Sequence, residues 1–189
     1  MVYAKHASVV VVAVILAVAA AVGLSAANPS PAEAALVSVK TCGGGSIDLN
    51  TTEKRTLDLH NQTRAGNGLP ALCVQPTLTK AARAHSQEML DKDYFSHNSY
   101  NGETSGARLK RFGYTLAGYS YYTVGENIAW GSGSSGSPDA IFKSRMNSTG
   151  HKANILNKNF REIGIGARTG TYKNYAGATM YTVDFATRR

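Results

Sequence analysis

The stretch Gly125-Glu126-Asn127-Ile128-Ala129-Trp130 is the most informative part of this 189-residue chain. It falls within residues 123–130, a segment whose pattern predicts a strand that carries Glu126. Two further motifs lie on either side of it, Phe95-Ser96-His97 and Ser148-Thr149-Gly150-His151-Lys152-Ala153-Asn154-Ile155-Leu156. One carboxylate and two imidazoles in short motifs are candidates for a shared polar site, because such side chains can converge in a cleft.

Together these motifs resemble the signature of the CAP superfamily, the cysteine-rich secretory proteins, antigen 5 and pathogenesis-related class 1 proteins, in the compact form of bacterial secreted members. The resemblance extends from Thr52 to the end of the chain, so we predict one CAP domain over residues 52–189. It implies an α+β fold, a three-layer α-β-α sandwich with a small antiparallel sheet. It also implies one open cleft built around His97, Glu126 and His151.

The resemblance further implies that the cleft binds a divalent metal, zinc above all, because several family members bind zinc there. His97, Glu126 and His151 would be the protein ligands, and a water molecule would take the fourth position. A hydrogen-bonded polar cluster that braces the sheet against the helices is the structural alternative. The expected partner is a small molecule, a lipid or a component of the cell envelope.

The sequence departs from the family pattern at the fourth cleft position. Eukaryotic members carry a second Glu in the helix before the last His, and Ser148 stands at that place here. The nearest carboxylate in the sequence is Glu162, on the following predicted strand, so a mechanism that needs paired carboxylates is poorly supported. Arg145 occupies a position that is commonly Trp in bacterial members, which predicts a more polar and more basic cleft wall.

Catalysis in the same cleft is a second hypothesis. In a serine-type hydrolase Ser148 would supply the hydroxyl and His151 the base, with Glu126 as a further candidate, whereas a metal-assisted enzyme would use the metal ligands. The chain contains neither a Gly-x-Ser-x-Gly elbow nor a His-Glu-x-x-His motif. We therefore predict a binding module, with a hydrolase or a structural adhesion protein of the cell envelope as the alternatives.

The N-terminal segment has the features of a secretory signal peptide. Lys5 precedes an uncharged run over 9–24, and Ala32-Glu33-Ala34 offers a cleavage site of small residues. We predict a signal peptide over residues 1–34, with cleavage after Ala27 as an alternative, and a secreted, extracellular mature chain. An uncleaved anchor is less favoured, because a spanning helix wants about 20 apolar residues. We expect no transmembrane span in the mature chain.

Two cysteines, Cys42 and Cys73, lie in the exported part of the chain. A disulfide between them suits an oxidising compartment, and two free thiols are the alternative. Closing a loop of that length would stabilise the fold by roughly 3–4 kcal/mol on the chain-entropy model. Residues 35–51 show no periodicity, and we predict that they form a disulfide-tethered lead-in to the domain.

The charge balance is basic, with 20 Lys and Arg against 12 Asp and Glu, a net charge of +8 and a pI near 9.6. Such a surface attracts polyanions. The basic residues are scattered along the sequence, which favours a mixed, solvated surface. We therefore expect no specific nucleic-acid partner, and we expect a monomer.

Periodicity and turn residues predict the remaining elements. Apolar stripes and start signals predict four helices, which begin near Thr52, Pro76, Ala107 and Pro138. Alternation in the C-terminal part predicts two antiparallel strands, 163–167 and 178–185, joined by a turn-rich connection over 169–177. Helices combined with antiparallel strands are typical of the α+β class.

Overall fold

The structure, a computed structural model, describes residues 35–189, so the predicted signal peptide lies outside the described residues. The strands are β1 (Leu36–Lys40), β2 (Ser46–Asn50), β3 (Cys73–Val74), β4 (Tyr122–Gly131), β5 (Glu162–Tyr172) and β6 (Tyr175–Arg188). The helices are α1 (Thr51–Gly66), α2 (Pro76–Asp91), α3 (Ser105–Arg111), α4 (Pro138–Met146) and α5 (Thr149–Ile155), with a short 3-10 helix over Gly133–Gly136. None of these helices is long and apolar enough to cross a membrane.

The main sheet has four strands in the order β3-β5-β6-β4. The short strand β3 runs parallel to β5, whereas β5, β6 and β4 pair antiparallel. Strand β4 pairs with β6 along its whole length, from Tyr122 opposite Arg188 to Gly131 opposite Thr179. It is also an edge strand, so its other side is left to loops and helices that approach from both faces of the sheet.

Helices cover both faces of this sheet, and the predicted three-layer α-β-α sandwich is confirmed. On one face, α1, α4 and α5 pack over alternate residues of β5 and β6, in a core that contains Leu57, Phe142, Ile155, Ile163, Ile165, Val183 and Phe185. On the other face, α2 and α3 pack over the intervening positions, with a core that includes Leu78, Ala81, Leu109 and Ala186. The two-residue alternation of the strands therefore assigns each side chain to one layer.

Helix α2 lies directly against the backbone of β5. A Cβ atom on Gly164 would be 2.2 Å from the carbonyl carbon of Leu78, and one on Gly166 would be 2.3 Å from that of Ala82. The sequence alternates Ile with Gly here, so the isoleucines fill one layer while the glycines admit the helix on the other. Only glycine allows an approach this close.

Glu53 ties three elements together at the start of α1, although its side chain is completely buried. It forms a capping box with Asn50, whose Oδ1 accepts from the Glu53 backbone N–H at 2.8 Å. Its carboxylate also accepts hydrogen bonds from Arg83 of α2 at 2.6 Å and from Arg168 of β5 at 3.1 Å. The buried charge is thus fully paired, and it links α1 to the opposite helical layer around the sheet edge.

The predicted disulfide between Cys42 and Cys73 is confirmed. The lead-in over 35–51 is more regular than its sequence suggests, because 36–50 form the antiparallel hairpin β1–β2. A backbone hydrogen bond of 2.9 Å from Cys42 N–H to the Val74 carbonyl holds the turn of that hairpin beside β3. Tertiary contacts and the disulfide stabilise these two short strands, because an isolated two-stranded hairpin is only marginally stable.

The connection predicted over 169–177 is wrong, since β5 and β6 extend through most of it. They are joined by a two-residue turn, Lys173-Asn174, in which Lys173 adopts a positive φ of 50°. The pairing is irregular between Gly170 and Tyr172, where the register shifts. Gly, Lys and Asn residues that predicted a long turn are therefore part of a β-hairpin with a bulge.

We expect Gly164→Ala to lower the free energy of unfolding by about 1–3 kcal/mol, the usual cost of overpacking. The added methyl group would meet backbone atoms of α2 that cannot rotate away. Gly106→Ala in α3 is the matched control, since nothing lies within 4 Å of its new Cβ. That change should be neutral or stabilising by up to about 1 kcal/mol. Urea denaturation measures both, and an unchanged midpoint for Gly164→Ala would contradict the backbone contact.

Candidate functional site

The predicted site residues meet at the edge strand β4. Glu126 and Asn127 are consecutive in this strand, so their side chains point to opposite faces of the sheet. Glu126 accepts a hydrogen bond from His97 in the loop after α2, whereas Asn127 donates one of 3.0 Å to the backbone carbonyl of His151 in α5. The two imidazoles thus reach one strand from different helical layers. The structure pairs the predicted side chains two by two, His97 with Glu126 and His151 with Ser148.

Glu126 is buried and has both carboxylate oxygens engaged. Its side chain is 4% exposed. Oε1 accepts from Nδ1 of His97 at 2.7 Å, and Oε2 forms an ion pair with the guanidinium of Arg108. Arg108, itself buried in α3, also donates to the His97 carbonyl at 3.2 Å and to the Ser99 hydroxyl at 3.1 Å. One arginine therefore fixes both the carboxylate and the loop that carries the first histidine.

His97 presents the outer edge of its ring to solvent, with 57% of the side chain exposed. Its hydrogen bond to the Glu126 carboxylate raises the pKa of His97 above its ordinary value, against a smaller opposing effect of burial. The Nε2 atom of the buried His85 contacts the Ser96 carbonyl at 2.9 Å. His85 therefore positions the turn that carries His97.

His151 makes a different contact, between its Nδ1 atom and the hydroxyl of Ser148 at 2.9 Å. Ser148 is the N-cap residue of α5, yet its side chain makes no capping hydrogen bond. The hydroxyl therefore contacts the imidazole and does not cap the backbone N–H groups at the start of α5, the usual role of an N-cap serine. Burial lowers the pKa of His151, and the nearby positive charges of Arg145 and His97 lower it further.

Arg145 does not form the basic cleft wall that the resemblance implies, and that prediction is wrong. Its side chain is completely buried, and it donates to the Asn127 carbonyl at 3.4 Å. Burial lowers the pKa of Arg145 to about 10. Its guanidinium lies 5.8 Å from the centre of the Tyr181 ring, where aromatic electrons take the place of a carboxylate partner. Arg145 thus supports β4 from behind the cleft.

Asn154 is a second support for β4 on the same face. Its amide donates to Oδ1 of Asn127 at 2.8 Å and to the backbone carbonyl of Glu126 at 3.2 Å. The sequence favoured a backbone-fixing role for Asn154 over ligand contact, and these bonds have that character. Helix α5 therefore holds the strand and the second histidine as one unit.

Asp184 is a carboxyl group that sequence reasoning missed. It lies on β6 directly opposite Glu126, is completely buried, and neither of its oxygens has a hydrogen-bond partner in the described residues. Burial raises the pKa of Asp184 well above its ordinary value, and the charge of Glu126 adds to this effect while Arg108 opposes it. The shift favours the protonated form, which avoids placing two like charges side by side. The sequence signal that could have identified Asp184 is an acidic residue within the otherwise apolar predicted strand 178–185.

The second carboxyl at this site is thus Asp184 and not the predicted candidate Glu162. Glu162 bonds to the Tyr114 hydroxyl and to Arg188 at 3.2 Å, outside the cluster of Glu126 and the histidines. Which carboxyl groups face each other depends on the register of β4 with β6. That register is set by long-range pairing and is not readable from spacing in the sequence.

The described residues contain no group of three or more His, Cys, Asp or Glu side chains arranged to hold a metal ion. Nδ1 of each of the two cleft histidines is engaged, by Glu126 in His97 and by Ser148 in His151, and the His151 ring also contacts the Ile128 backbone. His97 is more than half exposed, so the outer edge of its ring faces solvent. The metal set of His97, Glu126 and His151 stays a prediction.

The pKa values of the two imidazoles are shifted in opposite directions. His97 has a raised pKa beside Glu126, and His151 has a lowered pKa beside Arg145. The hydrogen bond to Glu126 thus favours the protonated form of His97, whereas burial favours the neutral form of His151. Groups whose environments push their pKa values apart can act as an acid and a base, or as two different contacts for one ligand.

Comparison with known proteins identifies the family of this chain. The profile of the cysteine-rich secretory protein family matches residues 57–185. The uncharacterized protein YkwD of Bacillus subtilis is 40% identical over 147 residues, which cover 78% of this chain and 53% of that protein. An uncharacterized membrane protein of the same organism, YlbC, is 33% identical over 61% of this chain and 31% of its own length. The chain thus spans about half of the first relative and about a third of the second.

Solved structures show the same fold. An extracellular protein containing an SCP domain from Bacillus anthracis is 30% identical with a TM-score of 0.58, over 71% of this chain and 39% of that one. An outer surface protein from Borrelia burgdorferi superposes with a TM-score of 0.60 over 82% of this chain and 100% of its own, at 18% identity, which indicates the fold alone. The family profile, the relative and the arrangement at β4 lead to one conclusion: the chain belongs to the cysteine-rich secretory protein, or CAP, family.

Proposed function

We propose that this chain is an exported binding domain that holds its ligand in the β4 cleft, between the imidazoles of His97 and His151. The observation that carries the proposal is the state of the two rings. Each has Nδ1 fixed by a neighbouring side chain, Glu126 for His97 and Ser148 for His151, so both rings are oriented before a ligand arrives. Rings that are oriented before binding lose little freedom when a ligand arrives, which favours affinity.

A divalent metal such as zinc suits these two imidazoles. His97 and His151 would hold it through Nε2, and it would supply a Lewis acid that takes up an anionic or carbonyl ligand. Glu126 then supports the metal by accepting the Nδ1–H of His97, an arrangement that commonly orients metal-binding histidines. The carboxylate that favours a proton on His97 also favours another cation there. Glu126 as a direct third ligand, the original prediction, would require it to leave Arg108 or His97.

Export is part of the proposal and has three supports. The N-terminal sequence has the pattern of a signal peptide, and the disulfide between Cys42 and Cys73 suits an oxidising compartment. The solved relatives are described as an extracellular protein and an outer surface protein. A cleft open to solvent would there meet ligands from the medium or from the cell envelope.

A serine-type hydrolase is the second candidate, favoured by one observation. The Ser148 hydroxyl lies 2.9 Å from Nδ1 of His151, and it does not cap its helix. A neutral imidazole in contact with a hydroxyl is the form that a general base requires. The lowered pKa of His151 favours that neutral form.

Zinc should bind at pH 7.5 and be lost in His97→Ala and His151→Ala, as measured by titration calorimetry. Glu126→Gln should weaken binding about 10- to 100-fold, the usual effect of changing a group that orients a metal ligand. Zinc requires the deprotonated ring, so the affinity should fall as the pH drops. Since the pKa of His97 is raised, the fall should begin at a higher pH than for an ordinary histidine.

Asn98→Ala is the matched control for this titration. Its exposed side chain is next to His97 in the loop and makes no hydrogen bond to other described residues. Zinc binding should be unchanged there. If the wild type takes up no zinc, or if both histidine variants bind as well as the wild type, the two imidazoles do not form the proposed binding site.

Replacing Ser148 tests both the serine-type hydrolase and the finding that the Ser148 hydroxyl does not cap α5. Because this side chain does not cap α5, Ser148→Ala should cost at most a few tenths of a kcal/mol, well below the ~1 kcal/mol of a capping serine. Ser137→Ala is the matched control, since Ser137 Oγ accepts from Ala140 N–H at 3.3 Å at the start of α4. Urea denaturation compares the two variants.

The same Ser148→Ala variant decides between binding and hydrolysis. The binding proposal predicts that Ser148→Ala still binds zinc, more weakly because the contact that orients His151 is gone, and that p-nitrophenyl butyrate is not turned over by either protein. Turnover by the wild type that is lost in Ser148→Ala and His151→Ala, and that persists after chelation of metal, would establish the hydrolase instead.

A further inference from the structure

A small groove lies beside the start of β4 and shares no residue with the histidine cleft. It has a volume of about 170 Å³ and is lined by Lys110, Tyr114, Thr115, Leu116 and Tyr122. Below we call these five residues the tyrosine groove. Pockets that enclose a whole drug-sized ligand measure about 300–1,000 Å³. The tyrosine groove is therefore large enough for one small ring and leaves the rest of a ligand on the surface.

Exposed aromatic residues continue the groove onto the surface. Tyr119 is 44% exposed and Tyr121 is 53% exposed, and both belong to the segment that forms the groove wall. The guanidinium of Arg188 lies 4.3 Å from the centre of the Tyr114 ring and 4.7 Å from that of Tyr119. Stacking on one arginine fixes these two rings. Tyr114 is buried, so the exposed rings Tyr119 and Tyr122 are those that a ligand can reach.

The charge of the groove is positive. Lys110 is exposed and has neither an ion pair nor a hydrogen bond from its ammonium group to another described residue. The nearby carboxylate of Glu162 is already bonded by the Tyr114 hydroxyl and by Arg188. No acidic residue lines the groove. An anionic group on a ligand would therefore meet an ammonium group whose charge no described residue pairs.

We propose that the tyrosine groove binds one ring of an anionic polysaccharide, a polymer whose sugars carry carboxylate or phosphate groups. A sugar ring has an apolar C–H face that stacks on an aromatic ring, and hydroxyl groups at its rim that need hydrogen bonds. Tyrosine offers both an apolar face and a polar tip. Lys110 pairs with the anionic substituent, while the following sugar units lie along Tyr119 and Tyr121.

The lining argues against the acyl chain of a lipid. An acyl chain entering the groove would strip water from the Lys110 ammonium and from the hydroxyl groups of Thr115 and the tyrosines without replacing its hydrogen bonds. Such desolvation costs several kcal/mol for uncompensated polar groups. A sugar supplies those hydrogen bonds with its own hydroxyl groups. The exposed ammonium of Lys110 therefore favours a ligand that carries both an anionic group and hydroxyl groups, as the polysaccharide does.

Calorimetry on the purified protein in 150 mM NaCl tests the proposal with defined probes. Hexagalacturonate should bind, whereas maltohexaose, which lacks the charge, should bind at least about tenfold more weakly. Poly-glutamate, which has the charge without sugar rings, should also bind at least about tenfold more weakly; each tenfold step equals about 1.4 kcal/mol. At this salt concentration unspecific surface attraction is screened beyond about 8 Å. Binding that persists therefore reports local contacts.

Variants locate the site. Tyr122→Ala should weaken hexagalacturonate binding about tenfold, and Tyr122→Phe, which keeps the ring, should bind like the wild type. Lys110→Gln should weaken binding about threefold, and Lys143→Gln, the same charge change on α4, should leave it unchanged. His97→Ala should also leave it unchanged, which separates this inference from the proposed function of the cleft. Thermal melting checks that Tyr122→Ala remains folded.

Four results would overturn the proposal. Equal binding of poly-glutamate and hexagalacturonate would show general attraction to polyanions, and equal loss in Lys143→Gln and Lys110→Gln would show the same. Binding of phosphatidylglycerol vesicles without any binding of the oligosaccharide would assign the groove to lipid. An unchanged affinity in both Tyr122→Ala and Lys110→Gln would place any sugar site elsewhere.

Discussion

The ion pair between Arg108 and Glu126 is the contact on which the candidate site depends. Both side chains are almost completely buried, at 1% and 4% exposure, so neither charge has water as a substitute partner. Removing one partner of such a pair commonly costs about 3–5 kcal/mol, because the other charge is left buried and alone. Arg108 also bonds the His97 carbonyl, so the same cation fixes the edge strand and the loop beside it.

This arrangement explains how an edge strand can carry a rigid site. The outer edge of β4 has no strand partner in the sheet, and loops and helices from both layers secure the strand instead. Asn154 and Arg145 bond the β4 backbone from one face, while the pair of Glu126 and Arg108 holds it on the other. The hydrogen bond to Glu126 raises the pKa of His97, whereas burial, together with the charges of Arg145 and His97, lowers the pKa of His151.

Much of the fold could be predicted because its signals are local. Pro76 and Pro138 mark the first turns of two helices, and the two cysteines form the disulfide. The hairpin β1–β2 could not be predicted, since its stability comes from tertiary contacts and not from its own pattern. Of the site, the motifs identified the histidines and Glu126. They did not identify Arg108 or Asp184, whose roles arise from packing and strand register.

Titration of the histidine rings by NMR tests the central claim most directly. The account predicts that His97 titrates above the ordinary value of about 6.5 and that His151 titrates below it. In Glu126→Gln the pKa of His97 should fall, because the carboxylate that stabilises its charged form is gone. Two rings that titrate together near the ordinary value, or a His97 that does not respond to Glu126→Gln, would contradict the account.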